Sequence, residues 1–152
     1  MVVGLGVAWL LGNDSNVASV GEEAPDFTVA LLDGGSFTLS QHLVEDGRPL
    51  VLNLWASWCL PCREEMPDLS AFANTHPDIA VVGVAVRDAL PDAQAFAEAI
   101  SPSYPVAFGD TAFSNSYPNY FLPSTYYIDS DGTVSNIVNG IVDQESLEEL
   151  TG

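Results

Sequence analysis

Lysine is absent from this 152-residue chain, and only three arginines, Arg48, Arg63 and Arg87, oppose 21 acidic residues, leaving a formal charge of -18. No cationic patch can be built from that set, which argues against nucleic acid as a partner and against charge-driven binding to anionic lipid. The acids are scattered rather than blocked and read as a solvated surface that serves solubility. Adaptation to salty surroundings and steering of a positively charged protein partner are the other readings. Cysteine is nearly absent as well, at two residues, too few for a multi-disulfide scaffold. Zinc would need four ligands, and the only other usual candidates, His42 and His76, stand in no metal-like spacing. No metal and no cofactor is therefore expected. There are no internal repeats and no low-complexity segments.

Long apolar runs are missing too. Met1 to Gly12 is apolar and uncharged, but spanning a bilayer takes about 20 residues, and the basic start of a signal peptide is lacking. Two readings stay open. The stretch is the remnant of a signal or membrane anchor, or it is an ordinary buried strand or helix. The polar run Asn13-Asp14-Ser15-Asn16 favours the first, as a linker, and with it residues 1–20 form an N-terminal segment and residues 21–152 one domain. A remnant would place that domain outside the cytoplasm.

What is present is enough for a core: 47% of the residues are apolar, and the length suits one domain. Both cysteines lie in Trp58-Cys59-Leu60-Pro61-Cys62. The apolar run Leu50 to Ala56 precedes them, too continuous for a half-exposed strand. A segment of helical character, Arg63 to Thr75, follows. A helix N-terminus carries unpaired N–H groups and partial positive charge, so it stabilises a thiolate. The thiolate is the nucleophile of disulfide exchange. Two intervening residues set the second sulfur one helical turn on, within reach of a mixed disulfide. A permanent structural cross-link is the bland alternative, but so small a loop gains little from one.

Along the chain, Phe27 to Leu32 and Ser36 to Leu39 flank Asp33-Gly34-Gly35 as a β-hairpin. Ser40 can cap a short helix over Gln41 to Glu45. Met66-Pro67 should kink the helix after the cysteines, whose Met66, Leu69, Phe72 and Ala73 share one face. Ile79 to Val86 is a second buried strand. Asp92 to Ile100 is a helix with Phe96 and Ile100 inward. Pro105 to Phe108 is a short strand, and Thr111 to Tyr117 a helix that Asp110 can cap. Ser124 to Asp129 and Thr133 to Val138 are strands joined through Ser130-Asp131-Gly132. Asp143 can cap a last helix, Gln144 to Leu150. The alternation implies an α/β fold whose sheet mixes parallel and antiparallel strands.

These residues resemble the thioredoxin superfamily, and within it the TlpA/ResA-type extracytoplasmic thiol–disulfide oxidoreductases, related to the redoxin and AhpC/TSA proteins. The resemblance runs from Ala24 to Leu150. It is carried by Ala24-Pro25-Asp26-Phe27, by Leu52 through Pro67, and by Leu122-Pro123-Ser124-Thr125 through Gly132. It implies a thioredoxin-like fold: a mixed central sheet flanked by helices, with an N-terminal β-hairpin and a central αβ insertion. It further implies Cys59 as the exposed attacking thiol and Cys62 as the buried resolving thiol. Pro123 would be a cis-proline facing them, leaving the Leu122 backbone free to pair with an extended substrate. Trp58, Leu60 and Pro61 would form the rim. Glu65 falls where many of these proteins carry an acid thought to assist proton transfer; a solvated helix-face carboxylate is the equal alternative. Asn53 stands where plain thioredoxins hold a buried aspartate, which makes Glu65 the better proton partner. Phe121 replaces a frequent glycine. With Tyr120 it either lines the substrate groove or is simply packed.

The expected activity is thiol–disulfide oxidoreduction with the Cys59–Cys62 disulfide as the only redox group. The partners implied are protein disulfides or dithiols and an upstream membrane or soluble electron donor. The location implied is the periplasm or the outer face of the cytoplasmic membrane, with an N-terminal anchor as one reading. The family leans towards reduction, as of apocytochrome c haem-site disulfides or of copper-handling proteins. Two rivals remain. A peroxiredoxin shares the Pro-Asp-Phe opening, yet its peroxidatic cysteine follows a threonine three residues earlier, and here that residue is Ala56. A non-catalytic module could bind a partner or Cu(I) through the two thiolates.

Overall fold

The computed structural model describes residues 17–152; the expectations for Met1 to Gly12 and for Asn13 to Asn16 lie outside them. Its centre is a pair of parallel strands, β3 (Leu50–Trp55) and β4 (Ala80–Ala85), every residue of which is buried. The continuous apolar runs demand this, because a strand covered on both faces can expose no side chain to water. Each buried Leu or Val contributes about 1.5–3 kcal/mol of transfer free energy. Around this pair the seven strands run in the order β2 (Ser36–Thr38), β1 (Thr28–Leu31), β5 (Val106–Phe108), β4, β3, β6 (Ser124–Ile128) and β7 (Val134–Asn139). β5 is parallel to β4, whereas β1, β2, β6 and β7 pair antiparallel with their neighbours.

Alternation along β3 sorts side chains to the two faces. Leu50, Leu52 and Leu54 join Phe27, Leu39, Phe113 and Tyr117 on one side, the side of α1 (Leu39–Glu45) and α4 (Thr111–Ser116). Val51 faces α2 (Leu60–Thr75) and α5 (Gln144–Thr151), packing with Leu69, Phe72, Leu147 and Leu150. Trp55, at the end of β3, joins both cysteines, Met66 and Phe96 of α3 (Leu90–Ile100). Asn53 lies between Val51 and Trp55 and therefore also faces α2. Between β4 and β6 the chain adds α3, the short strand β5 and α4, the stretch where the central αβ insertion was expected.

Asp110 and Asp143 cap α4 and α5 as expected, each accepting an N–H three residues on. The hairpin at Ser130-Asp131-Gly132 forms as expected. Two expectations need correction. Ser40 does not cap α1; it lies in the first turn, where Asp26 accepts both its N–H (2.9 Å) and its Oγ–H (2.8 Å), a cap supplied from across the fold. The helices α2 and α3 start at Leu60 and Leu90, earlier than Arg63 and Asp92, because Pro61 and Pro91 occupy first-turn positions where a missing N–H costs nothing. Before Gly21, Ala18 is buried, and its N–H donates to the Ser116 carbonyl at 2.7 Å. The helix α2 continues through Pro67 without interruption.

Candidate active site

β3 and β4 are parallel, so their carboxyl ends meet at one end of the sheet, where α/β folds gather their sites. The chain leaves β3 through Ala56, Ser57 and Trp58, and Cys59 becomes the N-cap of α2. Its Sγ accepts the Cys62 N–H at 3.3 Å, so the sulfur sits on the unpaired donors of the helix start. Cys59 and Cys62 are joined as a disulfide with their Cα atoms 5.3 Å apart. Cys62 is fully enclosed, and Cys59 is only 5% exposed. The expectation of an exposed Cys59 is thus corrected for the disulfide form: its sulfur turns inward to Cys62 against Trp55 and Met66. Of the two cysteines, only Cys59 keeps any exposure.

The residues expected at the rim are exposed. Trp58 and Leu60 are 56% and 71% exposed, and Pro61 is exposed beside them. The Leu122–Pro123 peptide bond is cis. Leu122 packs against the cluster that holds both cysteines and also against the core cluster on the other face of the sheet. Among the described residues no turn or loop hydrogen bond uses the Leu122 N–H or C=O. Tyr120 and Phe121 are 87% and 70% exposed, so the reading of them as packed aromatics is overturned. They stand out from the loop as an apolar wall.

Below the cysteines lies a buried carboxyl. Glu65 follows Cys62 by three residues, which puts it on the same helix face one turn deeper. It has no exposure, and the solvated reading of Glu65 falls with that. Its Oε1 accepts from Asn53 Nδ2 at 2.5 Å and its Oε2 from the Val142 N–H at 3.1 Å. Burial pushes its pKa up to about 7, against the opposing pull of those two donors. Asn53 Nδ2 also reaches Thr125 Oγ1 at 3.2 Å, while Asn53 Oδ1 has no partner among the described residues. A strand amide and a helix carboxyl thus share the buried polar position.

Sequence reasoning missed the loop after β4. Asp88 accepts the Ser57 N–H at 2.6 Å and the Ser57 Oγ–H at 2.8 Å. The Arg87 carbonyl accepts the Trp58 indole N–H at 2.8 Å. The available signal was position: Arg87-Asp88 directly follows a buried strand parallel to the one that leads into the cysteines. His42 and His76 are spent locally, on the Arg48 carbonyl and on the Phe72 ring and carbonyl. Among the described residues no three His, Cys, Asp or Glu side chains converge on a metal-sized site.

Comparison with known proteins agrees with this geometry. Residues 20–137 match the model of the AhpC/TSA family. The thiol-disulfide oxidoreductase ResA of Bacillus thuringiensis subsp. konkukian is 30% identical over 133 residues, covering 86% of this chain and 75% of the relative. A Chlorobium tepidum structure assigned as the thiol:disulfide interchange protein DsbE superposes with a TM-score of 0.79 at 28% identity, covering 88% of this chain and 96% of that one. A secreted Mycobacterium tuberculosis disulfide oxidoreductase, homologous to Escherichia coli DsbE, gives 0.68 at 26% identity, with 82% and 92% covered.

Proposed function

The chain belongs to the AhpC/TSA family, with a thioredoxin-like fold, and is a thiol–disulfide oxidoreductase; on that premise we propose that its reduced Cys59–Cys62 pair reduces disulfides of extracytoplasmic proteins. The observation that carries the reading is the joined pair at the start of α2 with the Glu65 carboxyl one turn below the enclosed Cys62.

The chemistry follows from the positions. The Cys59 thiolate, held by the helix N-terminus, attacks one sulfur of the partner disulfide and expels the other as thiolate. Cys62 then gives up its proton, with Glu65 as acceptor, and attacks Cys59 Sγ. The Cys59–Cys62 disulfide forms, and the partner leaves with both sulfurs reduced. Two electrons have passed to the partner, and a thiol donor must restore the pair. A base whose pKa lies near 7 suits a proton transfer at neutral pH. The two sulfurs carry both electrons of the exchange, and Glu65 takes up the proton. Leu122, Phe121 and Tyr120 on one side, and Trp58, Leu60 and Pro61 on the other, form the groove that an extended partner segment would enter. The cis-Pro123 bond lies at its floor.

The finer reading follows the family resemblance: reduction of haem-site disulfides in cytochrome c maturation, or of copper-handling proteins. An extracytoplasmic location is supported by the apolar N-terminal residues and by the secreted relative. Among the described residues no helix is long and apolar enough to cross a membrane.

Cys62→Ser tests the function. The variant can form the mixed disulfide but cannot resolve it, so partner proteins should stay bound to Cys59 on a non-reducing gel and release with dithiothreitol. If nothing is trapped under either oxidising or reducing conditions, the reading fails.

A further inference from the structure

Arg87 contacts both Trp58 and Asn119, the residue that leads into Tyr120 and Phe121. The Arg87 backbone sits at φ 50°, a region that side chains with a Cβ rarely adopt. Strain of that kind points from the observed geometry to a role. In this conformation the Arg87 carbonyl accepts the Trp58 indole N–H at 2.8 Å, and the guanidinium carbon lies 5.4 Å from the centre of the Trp58 ring. The same guanidinium reaches across to the other wall, where Nη2 donates to the Asn119 carbonyl at 2.6 Å. Asn119 is itself buried and fastened, its Nδ2 donating to the Tyr117 carbonyl at 2.9 Å. The next residues, Tyr120 and Phe121, are the exposed wall. Asp88 fixes the near end by holding Ser57 at two atoms. Among the described residues Arg87 forms no ion pair with a carboxylate, although the chain has 21 acids. Its donors go to the carbonyl and the ring instead.

We propose that Arg87 is a positioning residue that ties the Trp58 wall to the Asn119–Phe121 wall and thereby sets the width of the groove over the disulfide. The proposal rests on the reading that a partner disulfide enters between these walls. A methionine at 87 keeps an unbranched stem and the same backbone cost but loses both the ring contact of the cation and the bond to Asn119. A lysine keeps the cation and one donor. Groove width acts on how a protein partner seats, so its loss belongs in KM.

The test uses the full chain with insulin as the protein disulfide and dithiothreitol as donor. Arg87→Met is expected to raise KM for insulin about tenfold, the low end of the scale for one hydrogen bond from a charged group, with kcat moving less than about twofold. Arg87→Lys is expected to bring KM back to within about twofold of the parent. The Met-to-parent ratio should persist in about 1 M NaCl, where the screening length is about 3 Å, because a tie is not a long-range field. An unchanged KM overturns the proposal. So does a ratio that collapses in salt, which would make Arg87 a steering charge, or a loss of thermal stability with kcat and KM moving together. If the parent chain itself does not turn insulin over, the proposed function fails, and the tie is read separately by amide exchange of residues 119–123. Exchange several-fold faster in Arg87→Met supports the tie; equal exchange overturns it.

Discussion

Glu65 holds a proton equilibrium that no exposed carboxyl would have. Its ordinary pKa of 4.5 rises to about 7 because the ionised form loses its water on burial. A raised carboxyl pKa means the folded state binds the proton more tightly than the unfolded chain does. Stability from this group is therefore fully present below about pH 4.5 and is lost as pH rises to about 7. At roughly 1.4 kcal/mol per unit the loss is about 3 kcal/mol. Asn53 can serve both states: Nδ2 donates to the carboxylate, and its unpartnered Oδ1, after the amide turns over, can accept from the protonated acid. In Glu65→Gln the fall in melting temperature between those pH values should shrink, a change that thermal scans across pH would detect. The same substitution removes the proton acceptor beneath Cys62. Decay of the mixed disulfide at pH 7 should slow by at least about tenfold, and stopped-flow kinetics should lose the limb near pH 7.

At the scale of elements, α5 does for the site what its distance in sequence conceals. Val142, just before it, supplies an N–H to Glu65, and Leu147 and Leu150 seal the face of α2 below. Asp143 fixes where the helix starts through a reciprocal cap with Ser146, which also fixes where Val142 lies. Truncating the fully buried Leu147 to alanine should cost about 2–5 kcal/mol, read from the urea midpoint. It should also let water reach Glu65 and draw its pKa down towards 4.5, visible in the carbonyl stretch of the protonated acid by infrared titration. A packing loss without any change at Glu65 would mean that α5 only stabilises the fold.

Across the whole molecule, 21 acids against three arginines produce self-repulsion that the fold must outweigh. One arginine, Arg48, is held by Asp46 at 2.6 Å, and another, Arg63, lies 5.2 Å from the Phe96 ring centre. Local pairing therefore relieves little of the field. Raising NaCl from about 0.01 to 1 M shortens the screening length from about 30 to 3 Å. The melting temperature should rise by several degrees over that range, as followed by circular dichroism. A flat or falling curve would show that the acids are spaced too widely to repel.

Much of this was legible in the residues alone. Nearly continuous apolar runs identified β3 and β4, since a strand covered on both faces has little room for polar side chains. Asp110 and Asp143 announced their helices, and Asp131-Gly132 its hairpin, because caps and tight turns are made within a few residues. The two cysteines at the start of a helix carried the chemistry, because a thiolate needs only the local N–H groups. Tertiary structure decided the rest. Glu64 and Glu65 are neighbours in sequence, and only the docking of α2 on β3 selects which is buried against Asn53. Tyr120 and Phe121 could have been core or surface; the loop between α4 and β6 turns them outward. Arg87 acquires its meaning only when parallel strands bring residue 87 beside Trp58 and the chain returns with Asn119. Contacts closed within one turn of chain are determined by local chemistry; those made across 12 to 77 residues depend on which faces pack, and no local pattern encodes that.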